Sequence, residues 1–297
     1  MLQITLDKIL VESLPTSYLS VINQTLLSRE FSVERVINTK EFISENYYKP
    51  LRSLKAGESR KNDWNHNWQD SGIDFNPSFG PIPFYFKTST HVRTLRSIYK
   101  DLSGYLEYHL LMGLQQAIFL TFFPASSINA ICEFGCGIGS NLRNLATIYK
   151  SIELYGADWA ESSKIHVNST LISGFREFFL LDFFDPNTFN SPAVEFVAFT
   201  NAALEQTGNR CGAFINYLLS NPNCSGGVHI EPIIELLNPF DPLDKQSIDY
   251  AARRNYLVGL PKYFIGSEGV NFFMCNYGLG SRYLSGYQVL VWKKQVS

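Results

Sequence analysis

Residues 130–158 read AICEFGCGIGSNLRNLATIYKSIELYGAD, and the pattern inside this stretch decides the fold. Ala130 to Phe134 is a short apolar run that breaks into Gly135-Cys136-Gly137-Ile138-Gly139. From Ser140 onward Leu142, Leu145, Ala146 and Ile148 recur at three- and four-residue spacing, which predicts strand, tight loop and helix. A second short strand, Ile152 to Ala157, ends on Asp158, which a βαβ unit brings beside the glycine loop. Such a unit holds a nucleoside: glycines let the backbone approach, the helix N-terminus offers N–H groups to an anion, and the acid accepts from ribose hydroxyls. The plainer alternative is a turn-forming glycine cluster of any α/β domain.

Glycine spacing separates the ligand classes. In the dinucleotide fingerprint G-x-G-x-x-G the third glycine comes one place later than Gly139; here position 140 is serine and Glu133 heads an E-x-G-x-G-x-G run. This run resembles motif I of the class I S-adenosylmethionine-dependent methyltransferases. The resemblance implies that Gly135, Gly137 and Gly139 cradle the methionine part of S-adenosylmethionine, that Glu133 stabilises the loop and that Asp158 takes the ribose. S-adenosylhomocysteine is then the product.

The bulk properties set wider bounds. The chain of 297 residues is 45% apolar, enough for a sizeable core, and its net charge of −2 gives no basic field to draw in DNA or RNA. Five scattered cysteines without a C-x-x-C pair or a metal-spaced histidine read as reduced thiols of a cytosolic, cytoplasmic protein, with no metal site. No apolar run approaches the roughly 20 residues of a membrane span, and Leu110 to Phe123, which carries Gln115 and Gln116, reads as a buried helix. Oligomeric state has no signal in the sequence.

Outward from the glycine loop, two regions emerge. Residues 1–104 read as an α-helical cap and substrate lid: Ile4 to Leu27 and Val33 to Ile43 show helical intervals, and about 49–83 forms an irregular loop bearing Trp64 and Trp68. Helical character resumes from Val92 to Phe122. Residues 105–297 alternate strand and helix and finish on two strand-like runs, Tyr263 to Met274 and Tyr287 to Trp292. The expected fold is α/β, a Rossmann-like mainly parallel sheet with helices on both faces and a C-terminal antiparallel hairpin, preceded by a mostly α-helical cap.

Ligands of such sheets sit beyond the carboxyl ends of the strands. Those ends carry Glu133 to Gly139, Asp158-Trp159, Asp182-Phe183, Thr200-Asn201 and His229-Ile230-Glu231. The resemblance makes Asp182 and Phe183 the adenine contacts, with Trp159 beside the ribose acid, and puts Asn201 beside the cofactor's methyl group. Asp182 also reads as a turn cap in LDFFDP, and Glu205 as a first-turn helix acid. His229 and Glu231 alternate on one strand and so share a face, which suits a general base with its carboxylate partner for a hydroxyl nucleophile; an ordinary hydrogen-bonded histidine fits the same residues. Glu205 is the third candidate catalytic group. Trp64 and Trp68, and Arg253 with Tyr256 on one helix face, suit a phosphorylated or glycosylated substrate, or else a solvated basic face with structural tryptophans.

ALEQ after the fourth strand and H-x-E-P after the fifth are similar to bacterial methyltransferases that modify glycan sugars or secondary metabolites. That similarity implies methyl transfer to a hydroxyl of a small polar acceptor. The rivals are transfer to a protein or peptide nitrogen, and a non-catalytic nucleotide-binding protein or NAD(P)-dependent dehydrogenase. No G-x-S-x-G elbow, G-x-x-x-x-G-K-[ST] loop or H-E-x-x-H helix is present.

Overall fold

The computed structural model describes residues 1–36, 55–70, 73–76, 80–88, 90–169, 172–281 and 286–295. The chain opens with β1 (Leu2–Thr5), short helices α1 (Leu6–Leu10), α2 (Thr16–Leu19) and α3 (Gln24–Leu27), and β2 (Glu30–Arg35). Helix α4 (Arg60–Asp70), the antiparallel pair β3 (Ile73–Asn76) and β4 (Gly80–Pro83), α5 (Tyr85–Thr88), β5 (His91–Arg93) and β6 (Ile98–Asp101) follow. From α6 (Leu106–Phe122) the elements alternate: β7 (Ala130–Phe134), α7 (Ser140–Ile148), β8 (Glu153–Asp158), α8 (Ser162–Ser169), β9 (Phe175–Leu180) and β10 (Phe196–Asn201). Then come α9 (Gly212–Ser220), β11 (Cys224–Glu231), α10 (Pro242–Arg254), β12 (Val270–Asn276), β13 (Gly280–Ser281) and β14 (Gln288–Lys294).

Seven strands form one sheet in the order β12-β14-β11-β10-β7-β8-β9. β7 to β11 run parallel, and β14 lies antiparallel between β11 and β12. This is the Rossmann-like α/β sheet with its C-terminal antiparallel hairpin that the alternation predicts. From β7 the chain winds outward through β8 and β9, then returns to β10 on the other side, so a crevice opens above the carboxyl ends of β7 and β10.

Both faces of the sheet are covered. Ile131, Val197, Val228 and Val291 share a core with Leu110, Leu114 and Ile118 of α6 and Leu142 and Leu145 of α7. Ala130, Cys132, Phe134, Leu290 and Trp292 share the other with Phe214, Ile215 and Leu218 of α9. The two residue sets alternate along β7, as a strand with two buried faces requires.

Besides its helices, the region before Leu106 carries an antiparallel sheet, β1-β2-β6-β5-β13, that the sequence pattern did not suggest. In β2 Phe31 and Val33 are buried with Ser32 between them, a two-residue period too short to stand out. Val92, expected within a long helix, lies in β5; α6 starts only at Leu106, after Asp101 collects N–H bonds from Ser103, Gly104 and Leu106, each 2.9 Å. α6 itself is buried nearly all round, as its composition predicts. Of the stretch expected to be irregular, residues 49–54, 71–72 and 77–79 lie outside the described residues, and Arg60–Asp70 is helical instead. Trp64 and Trp68 sit one turn apart and stack with ring centroids 5.1 Å apart, a pairing the helix makes possible.

Candidate functional site

The glycine loop leaves β7 and turns into α7 through three left-handed residues, Gly135, Gly137 and Gly139, with φ of 79°, 52° and 75°. L side chains avoid that region. Loop N–H groups close on the protein itself. Gly135 and Cys136 donate to the Ala157 carbonyl (2.7 and 3.0 Å), Gly139 to that of Cys136 (2.8 Å), and Gly137 to Asp158 Oδ2 (2.7 Å). These four loop donors are therefore committed. Acceptors remain: Glu133 Oε2 and Asn201 Oδ1 are buried without a hydrogen-bond partner.

Asp158 Oδ1 accepts the Ala160 N–H at 2.8 Å. Burial pushes the Asp158 carboxyl up to about 6, with the Ala160, Gly137 and Trp159 N–H groups pulling the other way. Glu133 is wholly buried and pushed up to about 8, against the pull of Asn141, whose Nδ2 donates to Oε1 at 2.6 Å.

The crevice encloses about 550 Å³ of empty space counting its open mouth. Its floor is the loop from Gly135 to Ser140 with Asp158, Trp159, Phe183, Asn201 and Ala202, and its roof is Trp64, Trp68, Pro83 and Tyr85. Trp68 lies directly over the loop, since a Cβ on Gly137 would sit 3.1 Å from its ring. Trp159 meets Phe183 edge-on at 5.6 Å. Ala202, at the tip of β10, is held at φ 50°, a strained conformation of the kind found beside ligand sites.

α4 is tied over the strand tips. Asn65 Oδ1 accepts the Ser162 N–H (2.9 Å), the Trp68 carbonyl bonds His166 Nε2 (2.6 Å), and Arg60 Nε donates to Gln206 Oε1 (3.1 Å). Gln206 and Tyr85 line the crevice without having been marked by the sequence. Tyr85 is 39% exposed as a whole residue, while burial of its hydroxyl and the acids Glu107, Glu205 and Glu133 push its phenol far above the usual value.

Other expected residues lie elsewhere. Asp182 does not line the crevice: Oδ1 accepts the Phe184 N–H at 2.9 Å and Oδ2 faces Lys61 at 3.5 Å. His229, expected as a base, is wholly buried in the core. Trp292 Nε1 donates to its Nε2 at 3.0 Å, so the ring proton sits on Nδ1 and goes to Thr200 Oγ1 at 2.9 Å. Burial lowers this imidazole to about 3. Glu231, expected as its partner, instead caps the turn after β10: Oε1 accepts the N–H groups of Ala203 and Leu204 (both 3.1 Å) and Oε2 that of Glu205 (3.3 Å). Arg253 is exposed, and α10 ends at Arg254, so it shares no helix face with Tyr256; Arg254 covers Tyr256 instead, 5.2 Å from the ring centroid.

Glu205 is buried beside the crevice wall. Gln206 Nε2 donates to its Oε1 at 2.6 Å, Oε2 has no partner, and burial with the Glu231 charge pushes the carboxyl up to about 8. Among the described residues no group of three or more His, Cys, Asp or Glu is disposed to hold a metal ion, and no helix is long and apolar enough to cross a membrane.

No family model matches the sequence, and no curated protein matches it. Among solved structures the chain is similar to the plantazolicin methyltransferase BpumL in complex with a pentazolic desmethylPZN analog and SAH, at 15% identity over 64% of this chain and 85% of that one, TM-score 0.45. It is similar also to human N-acetylserotonin methyltransferase in complex with SAM (18% identity, 64% and 56% of the two chains, TM-score 0.42). A third is an O-methyltransferase family protein from Burkholderia thailandensis (12% identity, 65% and 60%, TM-score 0.44). Likenesses this distant carry no assignment of activity, which has to come from the crevice itself.

Proposed function

We propose that this protein is an S-adenosylmethionine-dependent methyltransferase acting on a hydroxyl of a small polar acceptor such as a sugar, a glycan or a secondary metabolite. One observation carries the reading: around a loop of three left-handed glycines, the N–H groups of Gly135, Cys136, Gly137 and Gly139 are bonded within the protein, while Glu133 Oε2 and Asn201 Oδ1 are buried acceptors without a partner. A pyrophosphate needs donors at such a loop. A nucleoside bearing an ammonium and a sulfonium needs acceptors and a carboxylate for its diol. The same contrast weighs against a dehydrogenase.

In this reading the glycines allow close approach, Asp158 accepts from the ribose, and Trp159 and Phe183 flank the base. Glu133 Oε2 and Asn201 Oδ1 take the ammonium. The bound cofactor supplies a methyl group already activated on its sulfonium, so the protein's work is mainly positioning. Trp64, Trp68 and Tyr85 roof the crevice against water. With His229 enclosed, we assign the acceptor's hydroxyl to Glu205, whose carboxyl at about 8 is largely protonated at neutral pH and gains the capacity to take the acceptor's proton as pH rises toward 8. An amine acceptor is the second reading, favoured by the three acids around Tyr85. Transfer of labelled methyl in a lysate separates the two by whether label enters protein or low-mass and glycan fractions.

S-adenosylhomocysteine is expected to raise the melting temperature while NAD and NADP leave it unchanged, since a ligand of the folded form at 100 times its Kd adds about 2.7 kcal/mol. Asp158→Ala is expected to weaken that binding at least about tenfold, roughly 1.4 kcal/mol. A melting shift with NAD alone overturns the reading. His229→Ala is expected to keep the product's affinity within about twofold, while the unfolding free energy in urea drops by about 2–3 kcal/mol from the lost packing and the orphaned Trp292 donor.

A further inference from the structure

Between α6 and α7 the core holds four amide side chains where apolar ones would cost less to bury. Gln115, Gln116 and Asn144 are at most 1% exposed. They form a single file. The Asn23 N–H donates to Gln116 Oε1 (3.1 Å), Gln116 Nε2 to Asn144 Oδ1 (2.8 Å), and Asn144 Nδ2 to Gln115 Oε1 (2.8 Å). Gln115 Nε2 then donates to Asn141 Oδ1 (2.8 Å), and Asn141 Nδ2 to Glu133 Oε1 (2.6 Å). The direction is fixed because a backbone N–H at the far end only donates, so each amide in turn must present oxygen behind and N–H ahead. Spare hydrogens are used too: Asn144 Nδ2 also reaches the Met112 carbonyl (3.0 Å) and Gln116 Nε2 reaches Thr147 Oγ1 (3.2 Å).

The file ends on one oxygen of a wholly buried carboxyl whose other oxygen has no partner. Groups facing Glu133 are Asp158 from β8, Arg143, Asn141 and the Leu142 N–H from α7, Tyr85 from α5, and the thiols of Cys132 and Cys136; the Asn141 amide and the Leu142 N–H favour its ionised form. Arg143 forms no ion pair with it; the guanidinium donates to the carbonyls of Ile138 (3.0 Å) and Pro81. A carboxyl without a cation in such a place keeps its proton, and the proton belongs on Oε2, because Oε1 is receiving one.

Resting on the methyltransferase reading, we propose that Gln116, Asn144, Gln115 and Asn141 are positioning residues that aim Glu133 at the cofactor's ammonium group, and that cofactor binding expels one proton from Glu133. The balance is simple. The O–H bond on Oε2 breaks, its proton passes to the buffer, and the carboxylate pairs with the arriving ammonium while the amide file steadies Oε1. Burial that holds this carboxyl near 8 sets the window in which the exchange is visible.

The test is calorimetric titration of the whole protein with S-adenosylhomocysteine, which keeps the ammonium, at pH 7 in phosphate and in Tris. The expected difference in apparent enthalpy corresponds to about 0.9 proton released, the protonated share of a group near 8. Glu133→Gln is expected to remove the buffer dependence and weaken binding about tenfold. Gln115→Met, which changes no residue lining the crevice, is expected to shift the pH midpoint of affinity upward by about one unit. A purely structural role weakens binding by one factor at every pH. A buffer-independent enthalpy in the wild type, or equal weakening of Gln115→Met at pH 6 and pH 9, overturns the proposal. The wild-type proton count decides alone if Gln115→Met does not fold. Absence of any binding by the wild type instead overturns the methyltransferase reading, and this proposal with it.

Discussion

Gly135→Ala is expected to abolish S-adenosylhomocysteine binding and to lower the unfolding free energy by about 3 kcal/mol. The added Cβ would lie 2.4 Å from Ala203 Cβ, and the φ of 79° is one an alanine adopts only at a cost. Neither side can give way cheaply. Ala203 is pinned through its N–H by Glu231 at 3.1 Å, and Phe183, 3.6 Å from the new atom, is buried edge-on against Phe214 and Trp159. Relief must come from the loop or the tip of β10, the two walls of the crevice. Gly137→Ala makes the informative contrast, because its new neighbour is the Trp68 ring at 3.1 Å, part of the roof and not of the sheet. Urea unfolding and calorimetry measure the two effects; Gly135→Ala binding within threefold of the wild type sinks the account of the loop.

The difference between those glycines shows what a sequence discloses and what it conceals. Strand, loop and helix around Gly135 are local, so spacing alone reveals them, and the parallel alternation from β7 to β11 follows from the same periodicities. The N-terminal sheet was hidden because its strands run two to six residues and its last member, Gly280–Ser281, arrives from the far end of the chain to pair with Val92 and Arg93. His229 illustrates a different limit. Its place at a strand end was readable, and so was the face it shares with Glu231, but whether that face meets solvent or Trp292 depends on a strand 63 residues away. Glu231 likewise read as a partner acid because nothing local says that three backbone N–H groups after β10 need a cap. W-x-x-x-W at 64 and 68 was a legible helical signal, outweighed by the polar residues around it. Gln115 and Gln116 marked Leu110 to Phe123 as a buried helix, but the polar network they enter depends on Asn141 and Asn144 of the next helix and was not legible.

The free protein is expected to lose stability as pH rises from about 6.5 to 8, by at least about 2 kcal/mol, reversing the usual preference of paired carboxylates for neutral pH. Glu133 and Glu205 are pushed up to about 8 and Glu231 to about 7, each chiefly by burial. Their ordinary value is 4.5, so in this window the unfolded chain has already released protons that the folded one still holds, and raising the pH favours unfolding. His229 and His109 act in the opposite sense. Burial lowers them to about 3 and about 4, so their contribution grows as pH climbs toward 6.5 and is complete above it. The carboxyl limb begins just above 4.5 and involves three groups against two, so these trends place the stability maximum below about pH 5. Urea unfolding at half-unit steps of pH reads the curve, and Glu133→Gln and Glu205→Gln should each flatten the limb above 6.5, because an amide has no proton to lose. A free energy that climbs steadily to pH 8 would mean these carboxyls are ionised in the folded protein, with their orphaned oxygens satisfied by something other than a retained proton. A bound cation should have the flattening effect as well, since pairing with ammonium lets Glu133 ionise without penalty, so the limb above 6.5 should be shallower when S-adenosylhomocysteine is present.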